Sequence, residues 1–474
     1  MTFDTARAVL SRGLRSLATR LRPEVCADGS AGPLRGDLLS LVQLEAFART
    51  IAVTHQEVAV VGRGSDPLHP ALARDGRHIT EVHRALGADI RRGVPVSPAA
   101  EWLIDNFHVV SAQIRAIYHD LPSGYYRELP KLRHGPLAGL PRVYAIALEL
   151  ITHTDGRINA ETLLRFLTAY QSVTPLRMGE LWAVAIMLRI GLVKNLSRMA
   201  ALMLEARDLR TEADTWAERL LGREGEAVDE ALVLHALTQR YPVLPVTLAV
   251  ELLRRLRAYE GDHDIGPVVT WLETQPVTPH ETVEALIHEE HQRQAASQVA
   301  VGNTITSMRV ISALDWPDWF ERVSRVEQVL RLDPAGAYAQ STFATRDRYR
   351  HVVEDLARHA ALSEDDVARR LVARAERAEG DNPRQRHIGY HLIDQGRPAF
   401  EAELGYRPPP VEHARRAAMA HPTVVYLGAV GGTTAATVAT GLWLARRGRA
   451  PEARGWAWAA ALAIIPASAL AAEL

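Results

Sequence analysis

Cysteine is almost absent from this chain, and the lone Cys26 excludes an intramolecular disulfide while agreeing with a reducing compartment. Excess charge is missing too. The 55 Lys and Arg residues face 56 Asp and Glu, so no basic field gathers a polyanion and nucleic acid is not expected as a partner. Alternating strand-like runs and a fixed-period repeat are lacking, which excludes a β-sandwich and a regular solenoid. No Gly-rich phosphate loop, nucleophile elbow or Cys/His cluster occurs, so no catalytic motif is recognisable and no cofactor is expected. Residues 1–22 have no uninterrupted apolar core and carry Arg7, Arg12, Arg15, Arg20 and Arg22, which excludes a signal peptide and predicts a cytoplasmic body.

Helix signals are what the chain does contain. Ser97 and Pro98 form an N-cap with proline at the first helical position, and Leu103, Phe107, Val110, Ile114, Ile117 and Leu121 follow at helical spacing. Thr174 with Pro175 repeats that opening, and Leu181, Ala185, Leu188, Leu192, Leu196, Met199 and Met203 extend one apolar stripe. Thr278, Pro279 and Glu281 form a capping box for a helix that continues past His291. The class is therefore all-α: a multi-helix body followed by a C-terminal transmembrane helical hairpin. The expected divisions are a basic helix and linker over 1–32, a helical domain over 33–275, a second helical region over 276–406, a Pro-rich linker over 407–421, and the hairpin over 422–474.

The hairpin rests on two apolar segments. Residues 423–445 carry no charge and span roughly 30 Å, the hydrocarbon thickness of a bilayer, while residues 456–474 are just long enough, rich in Ala and interrupted by Pro466. Gly428, Gly432, Ala436 and Thr440 fall every four residues, a small-residue stripe that lets a partner helix approach closely in lipid. Arginines flank the first segment on both sides and leave its orientation open. The chain ends inside the second segment, as the front part of something larger would.

Three apparent sites fail on spacing. His288, Glu289, Glu290 and His291 resemble a zincin helix, but their histidines are three apart rather than four, and the run reads as a solvated helix face. Asp155 and Gly156 match the centre of an EF-hand loop whose carboxylate positions hold Ile151 and Thr162, so the segment reads as a helix stop, a turn, and Asn159 capping the next helix. Asp262, His263 and Asp264 form a D-x-D triplet that follows no strand. No metal site is expected.

Three other stretches are dense in aromatic, basic and turn residues. The first, from Gly124, includes Tyr125, Tyr126 and Arg127 and leads to Pro141, Arg142, Val143 and Tyr144. The second holds Asp315, Trp316 and Trp319; the third holds Arg346, Asp347, Arg348 and Tyr349. Rings beside Asp and Arg suit sugar stacking with charge-assisted hydrogen bonds. They suit a domain interface equally, and the interface is the preferred reading.

These stretches, together with Pro98 through His108, Leu148-Glu149-Leu150-Ile151 with His153-Thr154-Asp155-Gly156, Thr174-Pro175-Leu176 with Gly179-Glu180-Leu181-Trp182, Gly302-Asn303-Thr304-Ile305-Thr306-Ser307, and His421-Pro422-Thr423, resemble the N-terminal region of cyclic β-1,2-glucan synthases. The resemblance implies a bacterial inner-membrane enzyme that polymerises glucose from UDP-glucose and closes the chain into a ring. It also implies that the transferase domain follows the segments seen here, so none of its catalytic residues maps onto this chain. The expected function is a membrane-anchoring assembly part of such a synthase, its partners being the lipid bilayer and a glycosyltransferase domain or subunit. The alternatives are a carbohydrate-handling module that contacts β-1,2-glucan, or a truncated remnant without function. Whether the chain is itself an enzyme stays open.

Overall fold

The computed structural model describes residue 34 and residues 36–60, 66–222, 229–258, 266–274, 282–378 and 383–447. The basic N-terminal stretch, Thr278 to Glu281, the Asp262-His263-Asp264 triplet and the second apolar segment lie outside the described residues. The all-α expectation is met. Extended structure among the described residues amounts to a two-residue antiparallel ladder between β1 (Val58–Ala59) and β2 (Lys131–Leu132), with one bridge from Lys131 to Pro141. The chain divides into two compact units, Met1–Gln328 and Val329–Leu474.

The first unit opens with α1 (Leu41–Thr54), α2 (Leu68–Arg91), α3 (Pro98–Asp105), α4 (Phe107–Asp120), α5 (Ser123–Glu128), α6 (Arg142–His153) and α7 (Ala160–Gln171). Its axis is α8 (Met178–Leu221), whose 44 residues extend on the order of 65 Å. Helices α2, α4 and α6 pack along α8, and α1 packs on α7. Every residue of the predicted stripe from Leu181 to Met203 is buried. So are Val184, Met187, Ile190 and Val193 between them, so the first half of α8 is enclosed by its neighbours on most sides, with Arg189 and Lys194 half-buried. Gly191 permits the closest approach: a Cβ there would sit 2.6 Å from Ile151 Cδ1 on α6.

The second half of α8 builds a separate core with α9 (Glu230–Arg240), α10 (Val246–Arg257), α11 (Gly266–Thr274) and the start of α12 (Val283–Ala313). Trp216, Leu220, Leu237, Leu252, Leu256 and Leu286 meet there. Within the Gly- and Pro-rich stretch 261–279, α11 places Val268 and Leu272 in this core. Helix α12 is capped by Thr282, whose hydroxyl accepts from Ala285 N, and runs to Ala313 against α3, α4 and α8. Helix α13 (Trp316–Val323) packs on α7, and α14 (Arg325–Leu330) carries the chain across the division.

Some local readings change. Ser97 caps α3 as its sequence predicts, but the apolar run through Leu121 breaks at Asn106 into α3 and α4. Asn106 Nδ2 donates to Trp102 O at 2.9 Å while its Oδ1 accepts from Arg309 on α12, so the side chain competes with the helical ladder. Thr174 does not open α8. Its hydroxyl donates to Ala52 O at 2.7 Å, and α8 starts at Met178, where the Glu180 carboxylate accepts from Arg177 N. In the run from His288 to His291, both histidines are exposed as a solvated face requires, but Glu290 is buried and accepts from Thr247 on α10.

The second unit contains α15 (Ala337–Gln340), α16 (Phe343–Ala360), α17 (Glu364–Glu376), a 3-10 turn over Pro383–Arg386, α18 (Ile388–Ile393) and α19 (Arg397–Leu404) around Val353, Leu356, Leu371, Leu392 and Phe400. Of the Pro-rich linker, Arg407 to Pro409 and His421 stay outside helix, because Pro410 takes the first position of α20 (Pro410–Ala420) and His421 caps its end. Helix α20 buries no residue and is held to α19 by charge: Arg416 donates to both carboxylate oxygens of Glu401, at 2.6 and 2.9 Å. Then α21 (Pro422–Arg447) begins, its segment Pro422–Thr440 long and apolar enough to cross a membrane and with none of it buried. One candidate membrane-spanning helix is thus described, which by itself does not establish the expected hairpin.

Burial alone would raise the Glu401 pKa, but Arg416 and Arg397 outweigh it and hold the carboxyl below its ordinary range. A carboxyl depressed by folding contributes stability above its unfolded pKa and loses that contribution as pH falls through the folded value. Glu401→Gln should therefore lower the urea midpoint of the second unit at pH 7 by about 1 kcal/mol equivalent and flatten its acid dependence below about pH 4. The modest size follows from Arg416, whose side chain is 37% exposed.

Candidate functional site

Two of the three aromatic and basic stretches flank the first turn of α8. Tyr125 donates to Gly179 O at 2.6 Å, and Trp182 stacks on Phe320 of α13 with ring centroids 4.6 Å apart. Tyr126 is fully buried, and Lys131 Nζ lies 4.6 Å above its ring, which occupies the face a sugar would need. Burial pushes the Tyr126 phenol far above its ordinary range and the Lys131 amine below its own. Arg127 is exposed and donates to Ser123 O. Asp315 caps α13 by accepting from Asp318 N, Trp316 donates to Ile311 O at 2.9 Å, and Trp319 is buried edge-on to Trp316.

Beneath that turn sits a buried polar cluster that local spacing did not single out. Arg142, directly after Pro141, donates from Nε and Nη2 to the two oxygens of Glu180 at 2.9 and 2.5 Å, and from Nη2 to Pro175 O at 3.2 Å. The side chains are 4% and 0% exposed. Burial opposes the Arg142 charge, but Glu180 outweighs it and raises its pKa. Tyr170, 3.2 Å from His55 Nδ1, completes the cluster. Burial, aided by Arg142, lowers the His55 pKa to about 4, so that imidazole is neutral at pH 7, and burial raises the Tyr170 phenol. This bidentate pair, closed off from solvent, locks the entrance of α6 to the entrance of α8.

The third stretch lies in the second unit. Arg348 is exposed, Arg346 donates to Ser341 O, and Asp347 pairs with Arg350 at 3.2 Å. Tyr349 is 7% exposed and belongs to a chain of hydrogen bonds: its hydroxyl is 3.3 Å from His387 Nε2, and His387 Nδ1 is 2.8 Å from Asp333 Oδ2. Asp333 also accepts from Tyr338 N and Ile388 N, each at 3.0 Å. Burial opposes its charge, yet His387 and the two amides prevail and hold its pKa low. Gly389 leaves the room, since a Cβ there would collide with Tyr349 Oη and His387 Nε2.

The Gly302 to Ser307 block also resolves into a joint. Ser307 Oγ accepts from Ile158 N at 2.8 Å and donates to Gly156 O at 2.7 Å, while Asn303 donates to Asp155 O. Asp155 and Gly156 take left-handed backbone, and a Cβ at Gly156 would meet Thr304 Oγ1 at 2.8 Å. Asn159 caps α7 by accepting from Thr162 N, as the sequence predicts.

No known protein-family model matches the chain. Comparison with curated proteins finds 31% identity over 345 residues to the cyclic β-(1,2)-glucan synthase NdvB of Rhizobium meliloti (strain 1021). Those residues are 72% of this chain but 12% of that protein. The chain is a relative of cyclic β-(1,2)-glucan synthase and spans a small part of its length.

Proposed function

We propose that this chain is the membrane-anchoring assembly part of a system that makes cyclic β-1,2-glucan from UDP-glucose at the bacterial inner membrane, with its helical body in the cytoplasm. The observation that carries this reading is α21: its Pro422–Thr440 segment is apolar, none of it is buried, and the helix before it is clamped to the body through Glu401 and Arg416. Thr433 and Thr440 donate to carbonyls one turn back, which satisfies their hydroxyls within the helix, as lipid demands. A Cβ at Gly428 or Gly432 would meet nothing, so the stripe with Ala436 and Thr440 is free to receive a helix of the transferase. Interface roles for the aromatic stretches agree with Tyr126 and Trp319 being buried and Tyr125 and Trp316 bonded to backbone carbonyls. Exposed Arg127, Asp315 and Arg348 are the positions through which the alternative, direct contact with glucan, would act.

Val430→Arg with Ala435→Arg should move the chain from the carbonate-washed membrane fraction to the supernatant, because each arginine near a span's centre costs about 3 kcal/mol. Retention in the membrane by the double variant would overturn the anchor. Gly432→Leu should keep the chain in the membrane but release the glucan-synthesising activity that co-purifies with it. If activity instead falls on Arg348→Ala with the complex intact, the carbohydrate-handling reading replaces the assembly reading.

A further inference from the structure

Between α2 and α4 lies a groove of about 520 Å³ whose walls carry three arginines: Arg77 and Arg84 from α2, and Arg115 from α4. Arg77 and Arg84 are two helical turns apart, about 10 Å along one face, and Arg115 reaches in from the facing helix. Several other arginines of the first unit find carboxylates: Arg92 and Arg207 share Asp89, Arg165 takes Glu45, and Arg189 takes Asp120. These three make no ion pair among the described residues, although Glu81 lines the same groove. Like charges gathered in a concavity repel one another until an anion enters, and the concave wall strengthens the attraction when it does.

The rest of the lining suits an organic anion rather than a bare ion. Leu72 and Ile114 form an apolar floor, and Gly76 lets the two helices approach there, since a Cβ would be 3.3 Å from Ile114 Cδ1. The hydroxyls of Thr80 and Ser111 donate to carbonyls of their own helices at 2.7 and 3.0 Å, so the arginines supply the donors aimed at a ligand. Tyr118, 44% exposed, offers a ring at the rim. Planar guanidiniums match phosphate oxygens in pairs, and three of them against one carboxylate favour a ligand with at least two negative charges.

We infer that the groove between α2 and α4 binds a phosphorylated molecule of two or more negative charges through Arg77, Arg84 and Arg115. This inference stands apart from the anchoring role of α21. The same phosphate chemistry is offered by a free organic diphosphate and by a phospholipid headgroup.

The test is calorimetric titration of inorganic pyrophosphate into the full chain, held in nanodiscs of phosphatidylcholine. Saturable binding should appear and weaken at least tenfold in Arg84→Gln and in Arg115→Gln, with helical content by circular dichroism unchanged. Repetition in phosphatidylglycerol discs separates the sources: competition with pyrophosphate identifies a headgroup site, and undiminished binding identifies a site for a free phosphate ester. Absence of saturable binding, or binding that the two substitutions leave intact while Lys131→Gln removes it, would overturn the inference.

Discussion

Glu180→Ala should lower the stability of the first unit by about 3–5 kcal/mol, the cost of leaving a buried arginine without its carboxylate. Arg142 cannot escape to water, because its side chain is 4% exposed and its Nη2 is also bound to Pro175 O. Arg177 N would lose its acceptor in the same variant, loosening the start of α8. Arg142→Leu with Glu180→Leu should recover most of that loss, since apolar residues of similar volume avoid the desolvation of both ions. Urea unfolding followed by circular dichroism measures both. A single variant within 1 kcal/mol of the parent would remove the pair from its bracing role, and a double variant no better than the single would show that the hydrogen bonds to Pro175 and Arg177 matter more than the charges.

That pair also marks what local patterning could and could not reveal. The stripe from Leu181 to Met203 is legible because the 3.6-residue period depends only on neighbours along one helix, and all seven residues are buried as expected. Asn159 as a cap is legible for the same reason, being decided within three residues. Arg142 and Glu180 are 38 positions apart, and nothing in either neighbourhood says that they meet. The Gly302 to Ser307 block is a stronger case. It carries part of the family resemblance, and its role rests on contacts no local pattern shows: Ser307 satisfies backbone at Gly156 and Ile158, about 150 positions away. Thr174 misleads in the opposite direction: a Thr-Pro pair suits a helix start, but its hydroxyl finds Ala52 O across the unit instead. The aromatic stretches were legible as unusual, and tertiary packing then decided which of their rings reach solvent. Tyr126 and Trp319 point inward, whereas Arg127 and Arg348 face out.

Asp333→Ala is the corresponding break in the second unit. Its carboxylate is the shared acceptor for Tyr338 N, Ile388 N and His387, so alanine strands two buried amides and releases the imidazole that meets Tyr349. A loss of about 3 kcal/mol is expected, with Tyr349→Phe costing about 1 kcal/mol because it removes one hydrogen bond at the far end of the chain. The acid dependence gives an independent sign. Asp333 is held below the ordinary carboxylate range, so its stabilisation is present in full above the unfolded pKa and is lost as pH falls through the folded value. The parent should therefore weaken below about pH 4 by more than Asp333→Ala does, and the two stability curves should converge in acid. Parallel curves would mean that the carboxylate's contribution is not tied to its charge, and that Tyr338 and Ile388 are held by packing around Gly389 rather than by the Asp333 hydrogen bonds.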